Sequence, residues 1–147
     1  MQAQRSRLLM DAYPALVSEP RRALAILVVA DDRALRDRLC ADLQGRGCRV
    51  VGAADGATGL GAVVLERFDA IVTDVHMLPR SGLWLWREAT TLRPELRGRF
   101  VFCSSDALVP LADGPWRSER VLQRPLGADG LWAEILAVTA PRPVRGS

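Results

Sequence analysis

Short apolar runs of strand length alternate along the chain with longer segments whose apolar positions recur at helical spacing. The first run, Ala25-Ile26-Leu27-Val28-Val29, leads into Arg33 to Gly45, where Leu35, Leu39 and Leu43 fall at i, i+4 and i+8 on one helix face. Arg49-Val50-Val51 is followed by a weaker helical segment, Gly56 to Arg67, with Leu60, Val63 and Val64 as its apolar face and Gly59 and Gly61 loosening it. The third pair is Ala70-Ile71-Val72-Thr73 with Gly82 to Leu92, stopped by Pro94. Phe100-Val101-Phe102-Cys103 makes a fourth strand and Val121-Leu122 a fifth, closed by a helix around Leu131, Ile135 and Val138.

Runs that are apolar at consecutive positions are buried on both faces, as the strands of parallel sheets are. Together with the alternation, they predict an α/β fold: a doubly wound, five-stranded parallel sheet with five strand–helix units. The segment Asp106 to Pro115 holds Pro110, Gly114 and Pro115, so the fourth helix is expected to be short or irregular. Residues 1–22 read as an N-terminal arm, 23–138 as the folded domain and 139–147 as an unordered tail.

Composition supports a folded domain: the 147 residues are 49% hydrophobic and 25% charged, enough apolar material for a core. All 20 residues of the Lys+Arg count are arginine. The absence of lysine excludes Schiff-base chemistry, a P-loop lysine and any mechanism needing a cation that gives up its proton. The net charge of +3 resides in the two ends, with +2 in residues 1–22, +2 in 139–147 and −1 between them, so no nucleic-acid partner is expected. Cys40, Cys48 and Cys103 are widely spaced, without a CxxC or a histidine cluster, and read as thiols of a reducing compartment. Arg21-Arg22 before Ala23 to Ala30 mimics a secretory signal, but the run is short and Asp31-Asp32 stands where a cleavage site should lie. No stretch reaches membrane-span length, and the expected location is the cytoplasm.

In an open parallel sheet, functional groups collect past the carboxyl ends of the strands, near the point where strand order reverses. Those ends are Ala30-Asp31-Asp32, Asp74, Ser104-Ser105 and Arg124-Pro125. Carboxylates, a hydroxyl and a cation converging on one edge suit a hard divalent ion and a phosphoryl group.

That set resembles the receiver domain of two-component response regulators over residues 24–138. The matching strings are Ile26-Leu27-Val28-Val29-Ala30-Asp31-Asp32 leading to Ala34-Leu35-Arg36, then Phe68-Asp69-Ala70-Ile71-Val72-Thr73-Asp74-Val75-His76-Met77 with Ser81-Gly82-Leu83, and Arg124-Pro125. The stretch from Arg97 to Ser104 with Arg124-Pro125 looks most like receivers of hybrid histidine kinases. The resemblance implies that Asp74 is the phosphoacceptor and that Asp31, Asp74 and the His76 backbone carbonyl hold Mg²⁺. It also implies that Ser104 binds the phosphoryl oxygen, and that a histidine kinase or phosphotransfer protein is the donor and a downstream protein the receiver of the output. No enzyme activity is implied beyond accepting the phosphoryl group and catalysing its loss.

The departures matter as much. Ala30 stands where the family usually has an acid; a register making Asp31-Asp32 the acidic pair would shift the Ala34-Leu35-Arg36 match by one. Arg124 replaces the family's lysine, and a planar guanidinium cannot occupy the space of a compact ammonium. Val121 stands where an aromatic switch residue is common, and Pro79 falls one place late. The expectation is an attenuated response regulator, or alternatively a pseudo-receiver that binds partners without phosphorylation. His76, the only histidine, lacks the partners that ring chemistry would need. Trp86 shares the inward helix face with Leu83, whereas Trp84 and Trp132 fall off the core faces and are candidate partner-binding anchors.

Overall fold

A computed structural model of the chain describes residues 22–77, 80–104, 119–123 and 127–141. The sheet has five parallel strands: β1 (Ala25–Val29), β2 (Arg49–Ala53), β3 (Ala70–Asp74), β4 (Phe100–Ser104) and β5 (Arg120–Gln123), in the order β2-β1-β3-β4-β5. The described helices are α1 (Arg33–Gly45), α2 (Gly56–Leu65), α3 (Gly82–Leu92) and α4 (Ala128–Thr139). A 3₁₀ turn, Pro94–Leu96, follows α3. This is the doubly wound arrangement expected, and the strand order reverses between β1 and β3. The expected irregular segment between 106 and 115, the arm before Arg22 and the tail beyond Pro141 lie outside the described residues.

The period-2 alternation of strand side chains divides the core into two layers. Leu27, Val29, Ile71, Phe100 and Phe102 face α2 and α3, where they meet Val63, Leu85, Trp86 and Ala89. Ile26, Val28, Val72, Val101 and Cys103 face α1 and α4, against Leu39, Leu43, Leu131 and Ile135. Trp86 is buried as expected. The segment Gly56 to Arg67 departs from expectation: α2 stops at Leu65, and Val64 is 57% exposed while Val63 is fully buried. Only one of two adjacent valines can point inward at a spacing of 100° per residue. Gly59 does more than loosen this helix, because a Cβ there would lie 3.1 Å from Val29 Cγ2 and 3.2 Å from Leu85 Cδ2, so its bareness lets α2 pack closely on the sheet. Helix α4 runs one residue past the boundary expected at 138, the Thr139 hydroxyl donating to the Ile135 carbonyl at 2.7 Å.

Three helices begin on side-chain caps. Asp32, Asp55 and Ser81 accept hydrogen bonds from the amides of Leu35, Thr58 and Trp84 at 3.1, 2.8 and 3.1 Å. The Thr58 amide holds the exposed Asp55 carboxyl below its ordinary range, with burial opposing weakly. A depressed folded pKa gives stability that is present above the unfolded value and is lost as pH falls through the folded one. Acid titration should therefore remove the cap's contribution, about 1 kcal/mol, and Asp55→Ala should remove the same amount at neutral pH. Urea melts of the two proteins should converge at low pH; a constant gap would contradict this.

Candidate functional site

The carboxyl ends of β1, β3 and β4 form one edge. Val29 is level with Thr73, so Asp74 lies one step beyond Thr73 and Asp31 two beyond Val29 on the adjacent strand. Asp74 is in turn level with Cys103, which puts Ser104 one step further along β4. Asp74 and Ser104 are buried, at 4% and 3% exposure, although both are polar. Asp31 and His76 are exposed and, with Met77 and Ser81, line a depression of about 400 Å³ over this edge. Asp31, Asp74, His76 and Ser104 are thus brought to one end of the sheet. Arg124 lies outside the described residues, as does Pro79.

The main chain around Asp74 is held from several sides. The Thr73 hydroxyl donates to the Asp74 carbonyl at 3.1 Å, and the Val75 amide donates to Cys103 O at 3.1 Å. The loop after β3 then folds back, the Gly82 amide donating to Val75 O at 3.0 Å and the Gly56 amide to Arg80 O at 3.1 Å. Gly82 lies against β3 so closely that a Cβ would come 1.9 Å from the Asp74 carbonyl oxygen. The sequence does not reveal this constraint: there Ser81-Gly82 is a helix start and part of a family-like string.

Two structural details bear on the acidic register. Asp32 is committed to capping α1, and the buried Ala30 follows Val29 as Asp74 follows Thr73, its partner on β3. Arg36 sends its Nη1 to the Ala30 carbonyl at 2.7 Å. In the sequence Arg36 stands out only as part of the family-like string Ala34-Leu35-Arg36.

No group of three or more His, Cys, Asp or Glu side chains among the described residues is placed to hold a metal ion. Two carboxylates and a main-chain carbonyl are oxygen donors of the right hardness for Mg²⁺, which keeps several of its waters, so the donor type fits while the supply is thin. The His76 imidazole is exposed at the rim.

Trp84 and Trp132 are half-buried. The Arg80 guanidinium lies 5.1 Å from the Trp84 ring centroid, and Arg46 lies 5.4 Å from that of Trp132. Arg46 also pairs with Asp129 at 3.0 Å and Asp42 at 3.4 Å, joining the end of α1 to the start of α4. Val121 is exposed on β5, level with Phe102.

The response regulator receiver protein CpdR of Brucella abortus is 32% identical over 111 residues, covering 75% of this chain and 92% of CpdR. The chain belongs to the response regulator receiver family. The response regulator MprA of Mycobacterium avium is 35% identical over 106 residues, which span 72% of this chain but only 42% of MprA. Receivers of known structure share the fold: a response regulator receiver protein from Sinorhizobium medicae superposes with a TM-score of 0.72 at 22% identity, over 80% of this chain and 95% of that one. The receiver domain of the hybrid histidine kinase CckA gives 0.66 at 23%, over 78% and 98%. No family model matches the chain. No helix among the described residues of this receiver is long and apolar enough to cross a membrane.

Proposed function

We propose that the receiver takes part in a phosphorelay, with Asp74 as its phosphoacceptor and protein binding as its output. The observation that carries this reading is the buried Asp74 carboxylate at the end of the central strand, beside the strand-order reversal and one strand from Ser104. A carboxylate oxygen of Asp74 attacks the phosphorus of a phosphohistidine on a histidine kinase or phosphotransfer protein. The P–N bond breaks as the new P–O bond forms, and its electron pair stays with the imidazole. Ser104 donates to a phosphoryl oxygen, and Arg124 supplies positive charge in place of lysine. Mg²⁺, held by Asp31, Asp74 and the His76 carbonyl, would neutralise charge on the transferred group. With Ala30 removing one acid and Arg124 substituting a bulkier cation, transfer is slow and metal binding weak. The exchange takes place in the cytoplasm, without a nucleic-acid partner. Trp84 and Trp132, half-buried beside arginines, serve as anchors for a protein partner.

The test is mass spectrometry after incubation with a small acyl phosphate and Mg²⁺. Slow gain of one phosphate, lost in Asp74→Ala, is expected. The paired variant Ala30→Asp, Arg124→Lys should label faster by on the order of tenfold. Wild type that stays unlabelled at high Mg²⁺ would overturn the phosphoacceptor reading. It would leave the second one, a phosphorylation-independent pseudo-receiver, which is favoured by the lack of a third acid among the described residues and by valine at 121.

A further inference from the structure

The guanidinium of Arg36 is hydrogen-bonded, at 2.7 Å, to the carbonyl of the peptide that joins Ala30 to Asp31. Its stem lies along Gly52 on β2: a Cβ at that position would be in ordinary contact with it, 3.5 Å from Arg36 Cδ and 3.6 Å from Cγ. The half-buried side chain thus crosses from α1 over β2 to the end of β1. Among the described residues Arg36 makes no ion pair, whereas Arg33, Arg46, Arg49, Arg87 and Arg120 each find a carboxylate. Its charge is felt locally: burial, then Asp37, raise the Cys40 thiol above its usual range, and Arg36 opposes them. A permanent positive charge that no ion pair among the described residues offsets is therefore held one peptide group from Asp31. The side chain that could have balanced it, at position 30, is a methyl group.

We propose that Arg36 is a resident cation of the phosphoacceptor site that sets how weakly the site takes up a divalent metal. The inference rests on the reading of Asp31 and Asp74 as metal ligands. Its physical basis is Coulombic. A fixed charge near a carboxylate lowers the gain from bringing a dication to it, and a partly buried position shields that repulsion less than open water does. Arg36 acts through the field at Asp31 and is a positioning residue without contact to the reacting atoms.

The experiment is direct titration with Mn²⁺, followed by the paramagnetic resonance signal of the free ion, with Mg²⁺ as competitor. Arg36→Met, which keeps a stem over Gly52, and Arg36→Gln are each expected to bind Mn²⁺ about fivefold tighter than wild type at low salt, the difference shrinking as salt is raised. Arg36→Lys, which keeps the charge, should stay within about twofold of wild type. Asp31→Asn should abolish binding in every background, and Ala30→Asp serves as the tight-binding reference. Melting midpoints without metal identify any variant whose fold is disturbed, and Arg36→Met and Arg36→Gln check each other. If Ala30→Asp tightens binding while Arg36→Met and Arg36→Gln do not, or if Arg36→Lys tightens it equally, the role of Arg36 is wrong and the metal site stands. If no variant, Ala30→Asp included, binds Mn²⁺ through Asp31, the metal-site reading fails and takes this inference with it.

Discussion

Gly82→Ala is expected to lower the stability of the receiver by about 3 kcal/mol or more and its melting midpoint by on the order of 10 °C. The new methyl carbon would stand 1.9 Å from the Asp74 carbonyl oxygen and 3.0 Å from Thr73 Oγ1. The first of these is main chain at the end of a fully buried central strand, so no side-chain rotation relieves the clash. Either α3 withdraws, breaking the Gly82 to Val75 hydrogen bond and uncovering Leu85 and Trp86, or the end of β3 bends and moves Asp74. If Asp74 is the phosphoacceptor as proposed, phosphoryl incorporation should fall with stability in both cases, because in-line transfer depends on close placement of the attacking oxygen. Gly61→Ala supplies the control. It lies on the exposed side of α2 with nothing near its would-be Cβ, so alanine there should stabilise by about 0.5–1 kcal/mol through helix propensity. Thermal melts that place Gly82→Ala at or above wild type would refute the close approach.

The second large effect is expected at Glu119, whose buried carboxylate bridges two strands. One oxygen accepts from the Gly98 amide at 2.6 Å and the other from the Phe100 amide at 2.9 Å. Gly98 turns with φ +79, in the left-handed region that glycine occupies without strain, and this aims its N–H at the carboxylate. Glu119 thus ties the turn before β4 to the start of β5, the edge strand whose side chains are mostly exposed. Glu119→Ala should cost about 3 kcal/mol: two charge-assisted hydrogen bonds vanish and the Phe100 amide keeps no acceptor at that end of a buried strand. Glu119→Gln keeps one acceptor oxygen but turns an NH₂ toward the second amide, and should cost about half as much. Urea denaturation gives both values. Equal stability of all three proteins would show that the bridge contributes nothing.

Asp69 does the same work between the inner strands β1 and β3, accepting the Ala25 amide at 2.8 Å where β1 begins. Neither carboxylate could be told from surface charge in the sequence. Asp69 sits inside the family-like string Phe68-Asp69-Ala70, and Glu119 stands among the arginines Arg117 and Arg120. Their roles depend on which amide another strand leaves uncovered, a relation between residues 44 and 19 to 21 positions apart. The same holds for Arg36, which lies six residues from its acceptor and reaches it with its stem lying along Gly52 of β2.

The α/β class, the five strands and the strand-end carboxylates were all legible in the sequence, because burial on both faces and helical spacing are local properties of an apolar pattern. Asp31, Asp74 and Ser104 could be chosen by position for the same reason, since each follows a run that must be a strand, whereas His76 came only from the family resemblance. The exposure of Val64, the end of α2 at Leu65 and the half-burial of Trp84 and Trp132 under guanidiniums depended on how each helix rotates against the sheet. So did the contact of Gly82 with Asp74, the hold of Arg36 on Ala30 and the burial of Glu119. Periodicity says which face of an element is apolar, but only packing decides which backbone atom of a distant element lies against it.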